Sequence, residues 1–329
     1  MEWGNNAQGS NAGLTGWVTG LFRHKRFRNG IAAVLALSLQ VICGITFVQA
    51  QQFGEWQPAV SVDPTRSFGI NTSANDGCPI EAPDGHMLFF ATDRAGNLDI
   101  WVAYREKETD PWGSPVRLPA PINTGASEFC PTPLPGNGLL FVSNRSNNCG
   151  GAGNNPDIYY TRLHPVRGWL PPVPLSCDVN SGAEEWSPSY VESEGVSMLF
   201  FSSTRSGAQK IYSSTLSSDG TWSPAMPVDE LNWPGAQDAR PNVRKDGLEI
   251  VFDSTRGGGA PDIYTSSRSS IFEPWSAPVQ LSGNVNSSAA ESRASLSRDG
   301  ELLYFGSARA NQGTDRGSDI FVSTRPRHP

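Results

Sequence analysis

The chain has 329 residues, 37% hydrophobic and 17% charged, which is enough apolar material for a large buried core and excludes a disordered polymer. Its formal net charge of −7 argues against a nucleic-acid or anionic-membrane partner, since both require a positive surface. Of its four histidines, His24 falls in the leader and His328 in the tail, so no Ser-His-Asp set or His/Cys zinc site can be assembled.

In chain order, residues 1–50 differ in kind from the rest. The basic stretch RHKRFRNG precedes an apolar run from Ile31 to Val48, and Val48-Gln49-Ala50 suits signal-peptidase cleavage after Ala50. The alternative is an uncleaved N-terminal anchor, because about 18 apolar residues nearly span a bilayer. Membrane contact is expected only through this segment. Cleavage would remove four basic residues and one acid from the 25 and 32 present, leaving 21 and 31 and a net charge of −10.

From about residue 54 to the end, one pattern recurs five times. Each copy reads acid, short strand, Asp-Gly-like turn, apolar strand ending in S/T-x-R, loop, Asp-Ile-aromatic strand, turn and Trp. The S/T-x-R arginines are Arg94, Arg145, Arg205, Arg256 and Arg309, and the Trp residues are Trp56, Trp112, Trp169, Trp222 and Trp275. A period of roughly 50 residues with several short strands per unit is the signature of a β-propeller, one blade per repeat. Leu248–Phe252 is an almost unbroken apolar run, as expected for a strand covered on both faces by stacked blades.

The last repeat stops after its third strand, near Thr324. Glu55-Trp56-Gln57-Pro58-Ala59-Val60 matches the missing Trp-led fourth strand, so the N-terminal strand near Trp56 is expected to complete the last blade and close the ring. The expected fold is therefore all-β: a five-bladed propeller of four-stranded blades forming a single domain over 51–329. Cys78 and Cys130 share one repeat position in neighbouring blades, and Cys149 and Cys177 lie in loops of the second repeat. Pairing Cys78 with Cys130 and Cys149 with Cys177 is expected; four buried thiols are the alternative.

The string Asp-Gly-x-x-[Leu/Ile]-x-Phe-x-Ser-x-Arg followed by a loop and Asp-Ile-Tyr resembles the TolB-like, WD-repeat-like propeller family of bacterial envelope proteins. INTGASEFCPTPLPGNGLLFVSNR and VNSGAEEWSPSY are similar to the propeller segments found beside OmpA-type domains. The resemblance covers about 54–325. It implies a propeller and, since that family's roles are mostly binding and assembly, an exported, periplasmic or extracellular protein that binds a protein, peptide or glycan of the cell envelope.

An Asn precedes each repeat acid by five or six residues: Asn71/Asp76, Asn123/Glu128, Asn180/Glu185, Asn232/Asp238 and Asn286/Glu291. These loops should surround one mouth of the channel, with Phe129, Trp186 and Trp233 beside the acids. Carboxylates next to aromatic faces suit a carbohydrate or peptide site. The structural alternative pairs each arginine with a loop acid or an Asp-Ile aspartate to fix a blade junction. No cofactor is required; Ca²⁺ could use carboxylates and carbonyls at the mouth, although no EF-hand-like spacing is present and no metal ligands are assigned.

Three positions break the repeat: Glu81 on the first inner strand, Asp253 after Phe252, and Lys210 in place of an Asp-Ile aspartate. Non-equivalent carboxylates on five blades are similar to furanosidase-type glycoside hydrolases, so Asp76, Glu81, Glu128, Glu185 and Asp253 are the catalytic candidates of that alternative.

Overall fold

The computed structural model describes residues 53–146, 149–150, 155–309 and 317–328. The expected leader and its cleavage after Ala50 lie outside the described residues.

Five antiparallel sheets form the blades of a propeller ring. Strand β1 is Val60–Ser61. The first blade is β2 (Asp76–Glu81), β3 (Met87–Thr92), β4 (Asp99–Tyr104) and β5 (Val116–Arg117). The second is β6 (Glu128–Leu134), β7 (Gly138–Ser143), β8 (Asp157–His164) and β10 (Val173–Pro174), with the short β9 (Gly168–Trp169) extending β8 as a hairpin. The third is β11 (Glu185–Ser193), β12 (Val196–Ser203), β13 (Lys210–Leu216) and β14 (Met226–Pro227). The fourth is β15 (Asp238–Val243), β16 (Glu249–Ser254), β17 (Asp262–Ser267) and β18 (Val279–Gln280). The fifth joins β19 (Glu291–Leu296), β20 (Leu302–Ser307) and β21 (Asp319–Thr324) to β1.

That last pairing closes the ring. Val60 lies opposite Val322 and Ser61 opposite Phe321, and the Gln57 N–H donates to Thr324 O at 2.7 Å. Trp56 is buried under the Arg325 guanidinium, 4.3 Å from the ring centroid. The fourth strands are shorter than the repeat suggests. Each Trp is followed within three residues by proline (Pro58, Pro115, Pro171, Pro224, Pro278), which has no N–H to donate to a ladder. Regular pairing therefore resumes only past the proline, for two residues.

The core between blades is built from the Phe that lies two positions before the Ser or Thr of S/T-x-R. Phe90, Phe141, Phe201, Phe252 and Phe305 are all completely buried. Four of them stack on the aromatic of the neighbouring third strand at 6.0–6.2 Å, within 24–27° of parallel. The arginine guanidinium covers both rings; Arg309 lies 5.4 Å from Phe305 and 4.9 Å from Phe321. One sequence pattern thus supplies a strand, its core side chain and the cation that caps it.

Candidate functional site

Inner strands β2, β6, β11, β15 and β19 each begin with the repeat acid, so all five acids gather at one face, which we call the upper face. The preceding Asn does not face solvent. Its side-chain amide pairs with both backbone polar groups of the third-strand Ile: the Asn180 Oδ1 accepts from Ile158 N–H at 2.9 Å and its Nδ2 donates to Ile158 O at 3.0 Å. Asn71 with Ile320, Asn123 with Ile100 and Asn232 with Ile211 do the same, as does Asn286 with Ile263. Each Asn extends the ladder where the chain itself has turned away.

The acids are equally committed. Asp76, Glu128, Glu185, Asp238 and Glu291 are 0% exposed. Each carboxylate accepts from a loop N–H four or five residues upstream and from its repeat arginine. In the third blade, Glu185 takes the Ser181 N–H at 2.8 Å, the Ser203 hydroxyl at 2.7 Å and Arg205 Nη2 at 3.0 Å. Arg94, Arg145, Arg256 and Arg309 meet Asp76, Glu128, Asp238 and Glu291 at 2.6, 3.0, 2.5 and 3.1 Å. Burial pushes the Asp76 carboxyl above its ordinary value despite Arg94. Burial acts the same way on Asp238, but the hydrogen bonds from Ser254, Arg256, Trp233 N–H and Lys210 outweigh it and hold that carboxyl low. Lys210 is the replaced Asp-Ile aspartate. Its ammonium reaches Asp238 at 3.0 Å and the Ala236 carbonyl at 2.8 Å, so this irregularity tightens a blade junction.

The aromatic candidates differ in exposure. Phe129 is buried and packs against the half-buried Trp186, ring centroids 5.1 Å apart, whereas Trp233 is 57% exposed. Among the described residues no cluster of three His, Cys, Asp or Glu is arranged to hold a metal ion.

Two residues past each acid the backbone enters the left-handed region, at Cys78 (φ 50°), Cys130 (45°), Ser187 (49°), Arg240 (54°) and Arg293 (59°). None is glycine, so each costs about 1 kcal/mol or more of local strain. The paired register of every inner strand shifts here. The bulge turns these five side chains toward the channel, where they line a narrow void with the following Pro79, Pro131, Pro188 and Pro241. Cys78 and Cys130 are disulfide-bonded at this level, and Cys149 is bonded to Cys177 in the second blade.

Asp253 belongs to the channel and not to the upper mouth. Its Oδ2 accepts from Arg240 Nη1 at 2.6 Å and its Oδ1 from the Arg293 N–H at 3.0 Å. Burial raises its carboxyl above the ordinary range in spite of Arg240.

Glu81 ends β2, five residues past Asp76, and so sits at the opposite, lower mouth. At about 3.3 Å per strand residue their Cα atoms are up to roughly 16 Å apart. Glu81 pairs with Arg105, and its second oxygen, Oε2, is buried without a hydrogen-bond partner. Burial, only partly offset by Arg105, pushes its carboxyl up to about 7. Two adjoining cavities of about 220 and 390 Å³ open beside it. Pro133, Leu134, Tyr190 and Val243 line the first, and Glu108, Lys245, Arg298 and Asp299 surround the second.

No protein-family model matches the chain, and no curated protein matches it. Solved structures share its fold. The catalytic domain of a GH62 α-L-arabinofuranosidase from Coprinopsis cinerea is similar with a TM-score of 0.55 at 14% identity, over 83% of this chain and 97% of that one. An endo-arabinase from Bacteroides thetaiotaomicron is similar with a TM-score of 0.51 at 14% identity, over 82% and 97%. TolB from Acinetobacter baumannii aligns with a TM-score of 0.46 at 17% identity over 82% of this chain; the chain spans 55% of that protein's length.

Proposed function

We propose that the chain is an exported, non-enzymatic propeller that binds a protein, peptide or glycan of the cell envelope. The observation that carries this reading is that all five upper-face carboxylates are buried and already bound to arginine, so none is free to move a proton or attack a sugar. What the upper face offers a ligand is contact surface, with the exposed Trp233 and the half-buried Trp186 as its aromatic elements. The two disulfides are compatible with an exported protein.

Hydrolysis is the competing reading, and it would turn on Glu81. A carboxyl held near neutrality beside a cavity shared with Glu108 and Asp299 has the character of a general acid. The test is a binding screen of the purified chain against peptidoglycan, envelope glycans and peptides, run beside turnover assays on arabinofuranoside polymers. Saturable binding without turnover, weakened at least fivefold by Trp233→Ala, is expected. Turnover that Glu81→Gln abolishes in a folded protein would overturn the proposal.

A further inference from the structure

The centre of the channel carries more positive charge than its own carboxylate can neutralise. Arg240 and Arg293 stand at equivalent positions of adjacent inner strands, both forced inward by the left-handed bulge. Asp253 is the acid joined to both, and each of its oxygens is already used, one by the Arg240 guanidinium and one by the Arg293 backbone. The ring acids cannot help, because each is held by its own repeat arginine.

The guanidinium of Arg293 lies against the first blade, where the repeat has been pared down to admit it. A Cβ on Gly77 would come within 2.8 Å of its Nη1, and the equivalent positions elsewhere hold Phe129, Trp186, Ala239 and Ser292. Nε of Arg240 and Nε of Arg293 are both buried with no acceptor among the described residues. Two guanidinium groups in a narrow channel repel each other, and unpaired buried donors are costly. Burial, together with the charge of Arg240, lowers the pKa of Arg293 to about 10.

We infer that the channel binds a small inorganic monoanion of halide size, chloride above all, between the guanidinium groups of Arg240 and Arg293. The void these residues line measures about 30 Å³, room for one such ion or a water and too little for a sugar ring. An anion here balances the second positive charge and accepts from the guanidinium groups that line the void. It also ties the fourth and fifth blades to the first at the level where the Cys78–Cys130 bridge ties the first to the second. The site is independent of the envelope ligand proposed above.

Thermal unfolding of the full chain in chloride and in gluconate, at matched ionic strength, tests the inference. The midpoint should rise in chloride by about 3 °C per tenfold increase above the dissociation constant. Arg293→Met should abolish that increment and Arg293→Lys should retain part of it. Crystals of the wild-type chain soaked in bromide should show an anomalous peak within hydrogen-bond reach of both guanidinium groups, a readout that stands even if Arg293→Met fails to fold. A chloride-independent midpoint, a water at that position in bromide, or an anomalous peak only elsewhere would overturn the inference.

Discussion

The upper ring and the channel beneath it both set arginine against buried carboxylates, yet they use charge in opposite ways. In the ring each acid has one arginine, a hydroxyl and a loop N–H, and the set is repeated five times. In the channel the residues are unlike one another: a disulfide and a serine stand beside two arginines that share one aspartate. Repetition shows what a blade needs in order to meet its neighbour. Departure from repetition serves a blade junction at Lys210, but at Glu81, Arg240 and Arg293 it leaves orphaned polar atoms.

This contrast can be broken first at the ring. Glu185→Ala leaves Arg205 and three further donors, the Ser181 N–H and the Ser181 and Ser203 hydroxyls, without their carboxylate, and we expect a loss of about 3–5 kcal/mol in urea unfolding. A change below about 1 kcal/mol would mean that the ring is not structural. Next, replacing Cys78 and Cys130 with serine opens a cross-link spanning 52 residues. The expected loss is about 2–4 kcal/mol, read from the same unfolding curves. The smallest effect is at the lower mouth. The Glu81 carboxyl is raised from 4.5 to about 7 in the folded chain, so the unfolded chain ionises it first. Between those values the folded state holds the extra proton, and stability falls as pH rises through the window. Glu81→Gln should remove that part of the slope, on the order of 2 kcal/mol, in unfolding measured from pH 4.5 to 7. A slope unchanged by the substitution would show Glu81 to be ionised throughout.

The blade count and the closing strand at Trp56 were legible because a period of roughly 50 residues leaves few alternatives for the chain. Cys78 and Cys130 were legible as partners because equal positions in adjacent repeats are neighbours in space. The short fourth strands could have been read from the proline that follows each Trp. What the repeat hid was the side on which each carboxylate acts. Asp76 and Glu81 are close in sequence but belong to opposite mouths, because an inner strand crosses the whole disc. The Asp253 contacts were hidden for another reason. They depend on a bulge that rotates Arg240 and Arg293 inward, and no residue type announces it: the five bulge positions hold two Cys, one Ser and two Arg, and none is the glycine that would signal a left-handed backbone.

The central claim is that the ring acids and arginines act on each other and not on a ligand. A double-mutant cycle on Glu291 and Arg309, with Glu291→Gln, Arg309→Met and the double variant followed by urea unfolding, tests it most directly. The account predicts a coupling of about 1–3 kcal/mol, with ligand binding by the folded single variants unchanged. A coupling near zero, with Glu291→Gln as stable as the wild type but unable to bind, would contradict it.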